Sequence, residues 1–350
     1  MIELLENIIP YISGLNTLPW ILVGFVVTIL IAKITGRDKI DKIMKKIGLI
    51  LLYFFIPLLL FRIFLDLFEP SQVTFVVVVF LVIFLMYIIA YIYSKYLMRR
   101  NKINEEKQSL FFKTILTNQG RSSAFIGSAM MAYWPVAAGI MIAIVGIALF
   151  AIIPYFLSHM HKQDTKKSKD KEGNPLPWYL RLYPWYLIAF VIIAVTLNLQ
   201  TDITTATFGD FGSVVKFYTA ITIPAALYYV GASIHPSDIK ITEIKKLFGV
   251  NKTKKNGDHW DWVRHMFILT VVLTPIVILL IFAPLYFLDI IDKSWFAVIT
   301  INSILPITST NMFLIPYGID KKSTAHVITW TTLICVPLVI IVIAIFGSYL

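Results

Sequence analysis

The sequence predicts an all-α polytopic membrane protein with ten transmembrane helices in two inverted five-helix repeats. Three observations predict it: an oily composition, ten apolar runs of membrane-spanning length, and basic residues gathered on alternate loops. Of the 350 residues, 58% are hydrophobic and only 15% are charged, whereas a soluble domain is roughly half apolar and about 25% charged. Mean hydropathy is +0.79. The net charge of +11, from 31 Lys+Arg against 20 Asp+Glu, would suit a nucleic-acid binder only if it formed a soluble basic face.

A spanning helix needs about 20 apolar residues, within a range of about 17–25. The first half supplies Leu18 to Ile34, Ile47 to Phe68, Val73 to Tyr96, Leu110 to Trp134 and Val136 to Leu157. The second supplies Tyr183 to Leu199, Gly212 to His235, Val263 to Leu288, Trp295 to Ile319 and Thr324 to Ser348. The start, MIELLENIIP, carries Glu3 and Glu6 rather than a basic stretch, so the first run is expected to remain as an uncleaved membrane segment. The domain organisation that follows is 1–157, a basic linker over 158–182, and 183–350.

The loops after segments 1, 3, 5, 7 and 9 should share one side. They and their flanks hold six, six, six, seven and two basic residues, which is 27 of the 31. The positive-inside rule makes that side cytoplasmic, so both termini are expected outside and the protein in the cell membrane. The stretch HMHKQDTKKSKDKEGNPLP reads as a flexible linker. Trp178, Tyr179, Trp185, Tyr186, Trp260 and Trp262 read as interfacial anchors. The charge asymmetry is thereby spent on topology, and nucleic acid is not expected as a partner. The single cysteine, Cys335, allows no disulfide within the chain.

Five segments per half is an odd number, so the second half enters the membrane from the opposite side. This inverted plan is common among secondary transporters. Segments 2 and 7 echo each other in FFIPLLLF and ITIPAALY. Segments 4 and 9 carry polar clusters at corresponding places, TNQGRSSAF and PITSTNMF.

Those clusters hold the candidate site. Arg121 lies eleven residues into segment 4, which at 1.5 Å per residue is roughly 16 Å, near the middle of a ~30 Å core. A charge at that depth is costly and faces a cavity, a partner or a ligand. Around it stand Asn118, Gln119, Gly120 and Ser122. In segment 9, Pro306 interrupts the helix, and Thr308, Ser309, Thr310 and Asn311 follow as capping types. Two discontinuous helices crossing at the midplane would each begin a second half there with free N–H groups and a positive dipole end, which attract anions. Asn302 and Ser303 are candidate cation ligands. Arg62 and Asp66, four apart, fit a local ion pair. No Asp or Glu falls at the centre of a segment.

Several stretches resemble the auxin efflux carrier family. VGASIHPSDIK resembles the end of its seventh helix, TNQGRSSAFIGSAM its fourth-helix Asn-x-Gly break, and LPITSTNMFLIPYGIDKKSTAHVITWTTLICVPLV its last two helices. The resemblance implies ten helices in two inverted repeats, crossing broken helices 4 and 9, a scaffold of helices 1, 2, 6 and 7, and often a homodimer through that scaffold. It implies transport of organic anions, auxin in plants and malate-like carboxylates in bacteria. On this chain the breaks map to Asn118 and Gly120 and to Pro306 with its following polar residues. Arg121, Ser122 and Ser123 depart from the small apolar residues the resemblance leads one to expect, which favours a compact, highly charged anion over an aromatic one.

The leading expectation is a secondary carrier for a small organic anion such as malate, embedded in the lipid bilayer, with no cofactor and no metal centre. The alternatives are a sodium-coupled organic-anion symporter of the bile-acid-transporter kind, and a channel or receptor. An intramembrane enzyme is not expected, because there is no HExxH motif and no pair of mid-membrane aspartates.

Overall fold

The computed structural model describes residues 19–124, 127–168, 177–201, 203–234, 241–249 and 259–349. Among them the chain is helical, and its sole β-pairing is an isolated bridge between residues 121 and 307. Seven helices are long and apolar enough to cross a membrane: Arg37–Leu67 (α2), Pro70–Arg100 (α3), Pro135–Asp164 (α5), Trp178–Thr201 (α6), Thr205–Ala232 (α7), His259–Phe287 (α8) and Lys321–Ser348 (α10). The remaining apolar runs differ from these. Trp20–Thr35 (α1) is shorter. Segments 4 and 9 are interrupted, leaving Glu105–Thr117 (α4) followed by the 3-10 turn Gly127–Ala132, and Lys293–Ile304 (α9) followed by the 3-10 helix Ser309–Tyr317.

Local chemistry explains the helix ends and irregularities. The first part of α2 is amphipathic, burying Ile40, Met44 and Gly48 at four-residue spacing while its charges stay outside. Three helices contain a π turn, at Leu51–Phe55, Ala148–Ile152 and Leu269–Leu273. Each ends two residues before a proline: Pro57, Pro154 and Pro275. A proline lacks an N–H and its ring clashes with the carbonyl four residues back. The residue before each proline bonds instead five residues back, to Leu51, Ala148 and Leu269. The local widening carries the helix past the proline unbroken.

Much of the surface is apolar. Leu22, Phe84, Leu280 and Phe287 are more than 60% exposed, an arrangement that water penalises and lipid does not. The architecture is that of a membrane-embedded polytopic helical protein.

Helix pairing is specific. α1 packs on α7, α6 on α2, and α2 on α7. α3 contacts α4 and α5, while α8 contacts α9 and α10. Near the basic end, Lys113 is buried and donates to Asp164 at 2.8 Å and to the Tyr317 carbonyl at 3.0 Å. It therefore ties α4 to the end of α5 and to the last turn of the segment 9 3-10 helix.

Three expectations need correction. The first ten residues of the supposed flexible linker, 159–168, continue a helix, Ile153–Ser168; residues 169–176 lie outside the described residues. Trp260 and Trp262 are not interfacial anchors. They are 6% and 4% exposed, and Trp262 meets Phe111 edge-on with ring centroids 5.1 Å apart. Trp178 and Trp185 do sit on the outside. The second half of segment 4 is a six-residue 3-10 turn rather than a half α-helix, so it offers little macrodipole. His235 lies outside the described residues.

Candidate functional site

α4 ends at Thr117 through tightening bonds. Gln119 N–H donates to the Leu116 carbonyl at 3.2 Å and Gly120 N–H to that of Thr117 at 3.2 Å. The backbone then extends. Segment 9 does the same after Ile304, where Pro306 withholds its donor and Leu305 takes ψ 144. The two extended pieces meet antiparallel. Ser122 N–H donates to the Pro306 carbonyl at 2.9 Å and Thr308 N–H to the Gly120 carbonyl at 3.1 Å. Arg121 and Ile307 are thus a non-hydrogen-bonded pair, the close kind.

This short bridge settles where the unwound polar groups go, as buried backbone requires. Ile307 N–H, facing away from the bridge, is taken by the Thr331 hydroxyl of α10 at 3.2 Å. Thr331→Val keeps the shape and strands that donor. A loss of about 1–3 kcal/mol is expected, read as a lower thermal midpoint of the detergent-solubilised protein.

Arg121, with Thr308 and Thr310, lines a cavity of about 20 Å3 whose other walls come from α2, α5 and α6. That is room for about one water. Ser122, Ile307 and Ser309 line a smaller space of about 10 Å3 beside Ser233, just past the end of α7, and Thr329 and Thr332 of α10. The guanidinium is confined to the first space, with two threonines beside it, whereas the second is lined by hydroxyls and apolar side chains.

Arg121 is the most unusual residue in the molecule. It is 2% exposed, and its Nε, Nη1 and Nη2 have no hydrogen-bond partner. Among the described residues no carboxylate pairs with it. Thr308 and Thr310 share a hydrogen bond of 2.9 Å, and Thr308 caps Thr310 N–H at 3.3 Å, so these hydroxyls are held at the cavity wall. A Cβ at Gly120 would lie 2.3 Å from Leu149 Cδ2 and 3.1 Å from Asn311 Oδ1, so those side-chain tips would have to shift.

The other predicted residues divide by role. Asn118 stitches the breaks to α10: its amide donates to Thr324 Oγ1 at 3.0 Å and to the Thr114 carbonyl at 2.9 Å, and it accepts from Asn311 at 3.5 Å. Asn311 Oδ1 is buried without a partner. Gln119 turns away from Arg121, donating to the Met86 carbonyl at 2.9 Å and to Thr274 at 3.0 Å. Asn302 accepts from Ser123 at 2.7 Å and touches Met86 Sδ at 3.8 Å. Ser303 is bonded to the Thr300 carbonyl at 2.7 Å. Sequence reasoning missed Thr324, Thr331 and Thr274. The seven-residue interval between Thr324 and Thr331 would have placed those two on one helix face.

The fold and this crossing define a membrane-embedded helical protein with a buried, uncompensated cation at a paired backbone break. Comparison of the chain with models of known protein families, and with individual curated proteins, gives no match.

Proposed function

We propose that the protein is a secondary carrier for a small organic anion, a mono- or dicarboxylate such as malate, working by alternating access. One observation carries this reading: three guanidinium nitrogens buried without an acceptor. A planar, permanently charged fork in a low-dielectric site is best satisfied by a planar oxyanion. The Thr308 and Thr310 hydroxyls beside it suit the outer oxygens of such a ligand.

The tightness of the cavity supports motion as part of function. A space of about 20 Å3 does not admit a dicarboxylate, so the α2–α6 wall has to move off the crossing before anything binds. Rocking of one bundle against another does this. Ten spans in two inverted repeats are supported by the pairing of helices. Exchanging each segment with the one five places on turns α1 on α7 into α6 on α2, α3 with α4 into α8 with α9, and α3 with α5 into α8 with α10; all six contacts occur. The basic residues on alternate loops support a cytoplasmic basic end.

Cation coupling is a second reading with its own support. Gln119 Oε1, Thr270 Oγ1 and Thr300 Oγ1 are buried oxygens with no partner, and Gln119 and Asn302 both touch Met86. Oxygen acceptors are what a hard cation takes. The test of both readings is uptake of a panel of labelled carboxylates in proteoliposomes, with Na+ or choline outside and with or without a pH gradient. The carrier reading expects saturable uptake and counterflow of at least one carboxylate. Uptake unchanged in choline rules out sodium coupling.

A further inference from the structure

A second cavity, of about 230 Å3 and partly open, lies toward the end of the bundle opposite the basic loops. Its polar lining is Arg62 and Asp66 of α2 and Thr219 of α7; the rest is apolar, with Leu59, Ile63 and Met131 prominent. Both cavities share α2, with Leu52 and Ile56 lining the first and residues 59–67 the second. Arg62 is six residues beyond Ile56, a rise of about 9 Å along the helix.

The ordinary account of Arg62 and Asp66 is a local ion pair at i,i+4, and a contact exists, Nε to Oδ2 at 3.5 Å. The distances give it second place. Both Asp66 oxygens are held more closely by the first turn of α7, Oδ1 by Thr205 N–H at 2.7 Å and Oδ2 by the Thr205 hydroxyl at 2.7 Å. Asp66 is thereby satisfied as the anchor of that turn. Arg62 keeps one short bond, Nη1 to Thr219 Oγ1 at 2.8 Å, and its side chain is 32% exposed. Asp66 offsets its charge from the Nε side, and Arg62 stands in a cavity with otherwise apolar walls, where an ionic contact gains strength.

We propose that this cavity is a second anion site, a vestibule in which Arg62 receives a carboxylate before it moves along α2 to Arg121. The carrier reading supplies only the identity of the anion; the vestibule stands on its own geometry. Arg62 offers the part of its guanidinium away from Asp66, Thr219 fixes its orientation through Nη1, and the Thr205 bonds hold Asp66 at the Nε side.

Ala220 lines the same cavity, and the native Cys335 is buried, so Ala220→Cys gives a reporter thiol in the full-length protein in proteoliposomes. Thiol reagents carrying a sulfonate or a trimethylammonium group read the local charge. Arg62→Gln should lower the ratio of anionic to cationic reaction rates about tenfold. Arg62→Lys should largely keep it, and Asp66→Asn should raise it. Millimolar malate should slow labelling with Arg62 present and not with Arg62→Gln. Arg121→Met should leave the rate ratio and the malate protection intact, which separates this site from the crossing. A ratio indifferent to both Arg62→Gln and Asp66→Asn, or malate protection that depends on Arg121 and not on Arg62, overturns the proposal.

Discussion

Arg121→Met is expected to make the protein more stable and functionally dead. The wild-type guanidinium is 2% exposed with three unpartnered nitrogens, and a charge held that way costs folding free energy. Replacing buried ionic groups by apolar groups of similar volume gains about 1–4 kcal/mol in favourable cases. Met fits the same cavity, whose walls are Leu52, Ile56, Ile142, Val145 and Leu149 on one side. The variant should therefore melt several degrees higher in detergent and take up no carboxylate. A residue retained at a cost to stability, and lost only with function, is the signature of a binding group. A lower midpoint would mean that Arg121 has a structural partner after all.

The largest destabilisation is expected far from the crossing, at Gly231→Ala. A Cβ there would lie 1.8 Å from the Ile21 carbonyl oxygen, and one at Gly24 would lie 2.1 Å from the Tyr228 carbonyl oxygen. These glycines let α1 and α7 meet backbone to backbone, the small-residue contact that holds membrane helices together. A backbone oxygen cannot rotate aside as a side-chain tip can, so the helices must separate. A cost of about 3 kcal/mol or more is expected, at or above the upper range for overpacking. Gly146→Ala is the control. Its Cβ would meet only Leu187 Cδ2, at 2.9 Å, a flexible tip that can swing away. Thermal midpoints of the two variants should differ clearly; equal midpoints would mean that α1 and α7 are not held this closely.

The two breaks were legible because proline and clustered polar residues are out of place in an apolar run. Pro306 and the Thr308–Asn311 cluster marked one, and Asn118 through Ser123 the other. Arg121 stood out because no topological rule puts a charge at that depth. Side-chain direction was not legible. Gln119 and Arg121 are two residues apart, yet one bonds to α3 and α8 and the other faces α2 and α6. That outcome depends on the bridge to segment 9, a contact across 186 positions formed by residues 121 and 307. Trp260 and Trp262 misled for a related reason. Tryptophan near a helix end usually marks the interface, but here Phe111 of α4 packs over one of them. The π turns were not legible from proline alone: they precede Pro57, Pro154 and Pro275, but Pro184, Pro224, Pro284 and Pro337 sit inside helices without one.

If the unpartnered guanidinium at the crossing holds the transported anion, exchange must depend on its fork. Counterflow of labelled carboxylates in proteoliposomes carrying equal amounts of wild type, Arg121→Met and Arg121→Lys measures that dependence. Wild type should exchange at least one carboxylate, Arg121→Lys should do so weakly because a point charge replaces the fork, and Arg121→Met should not do so at all. Exchange by Arg121→Met at the wild-type rate would contradict the account.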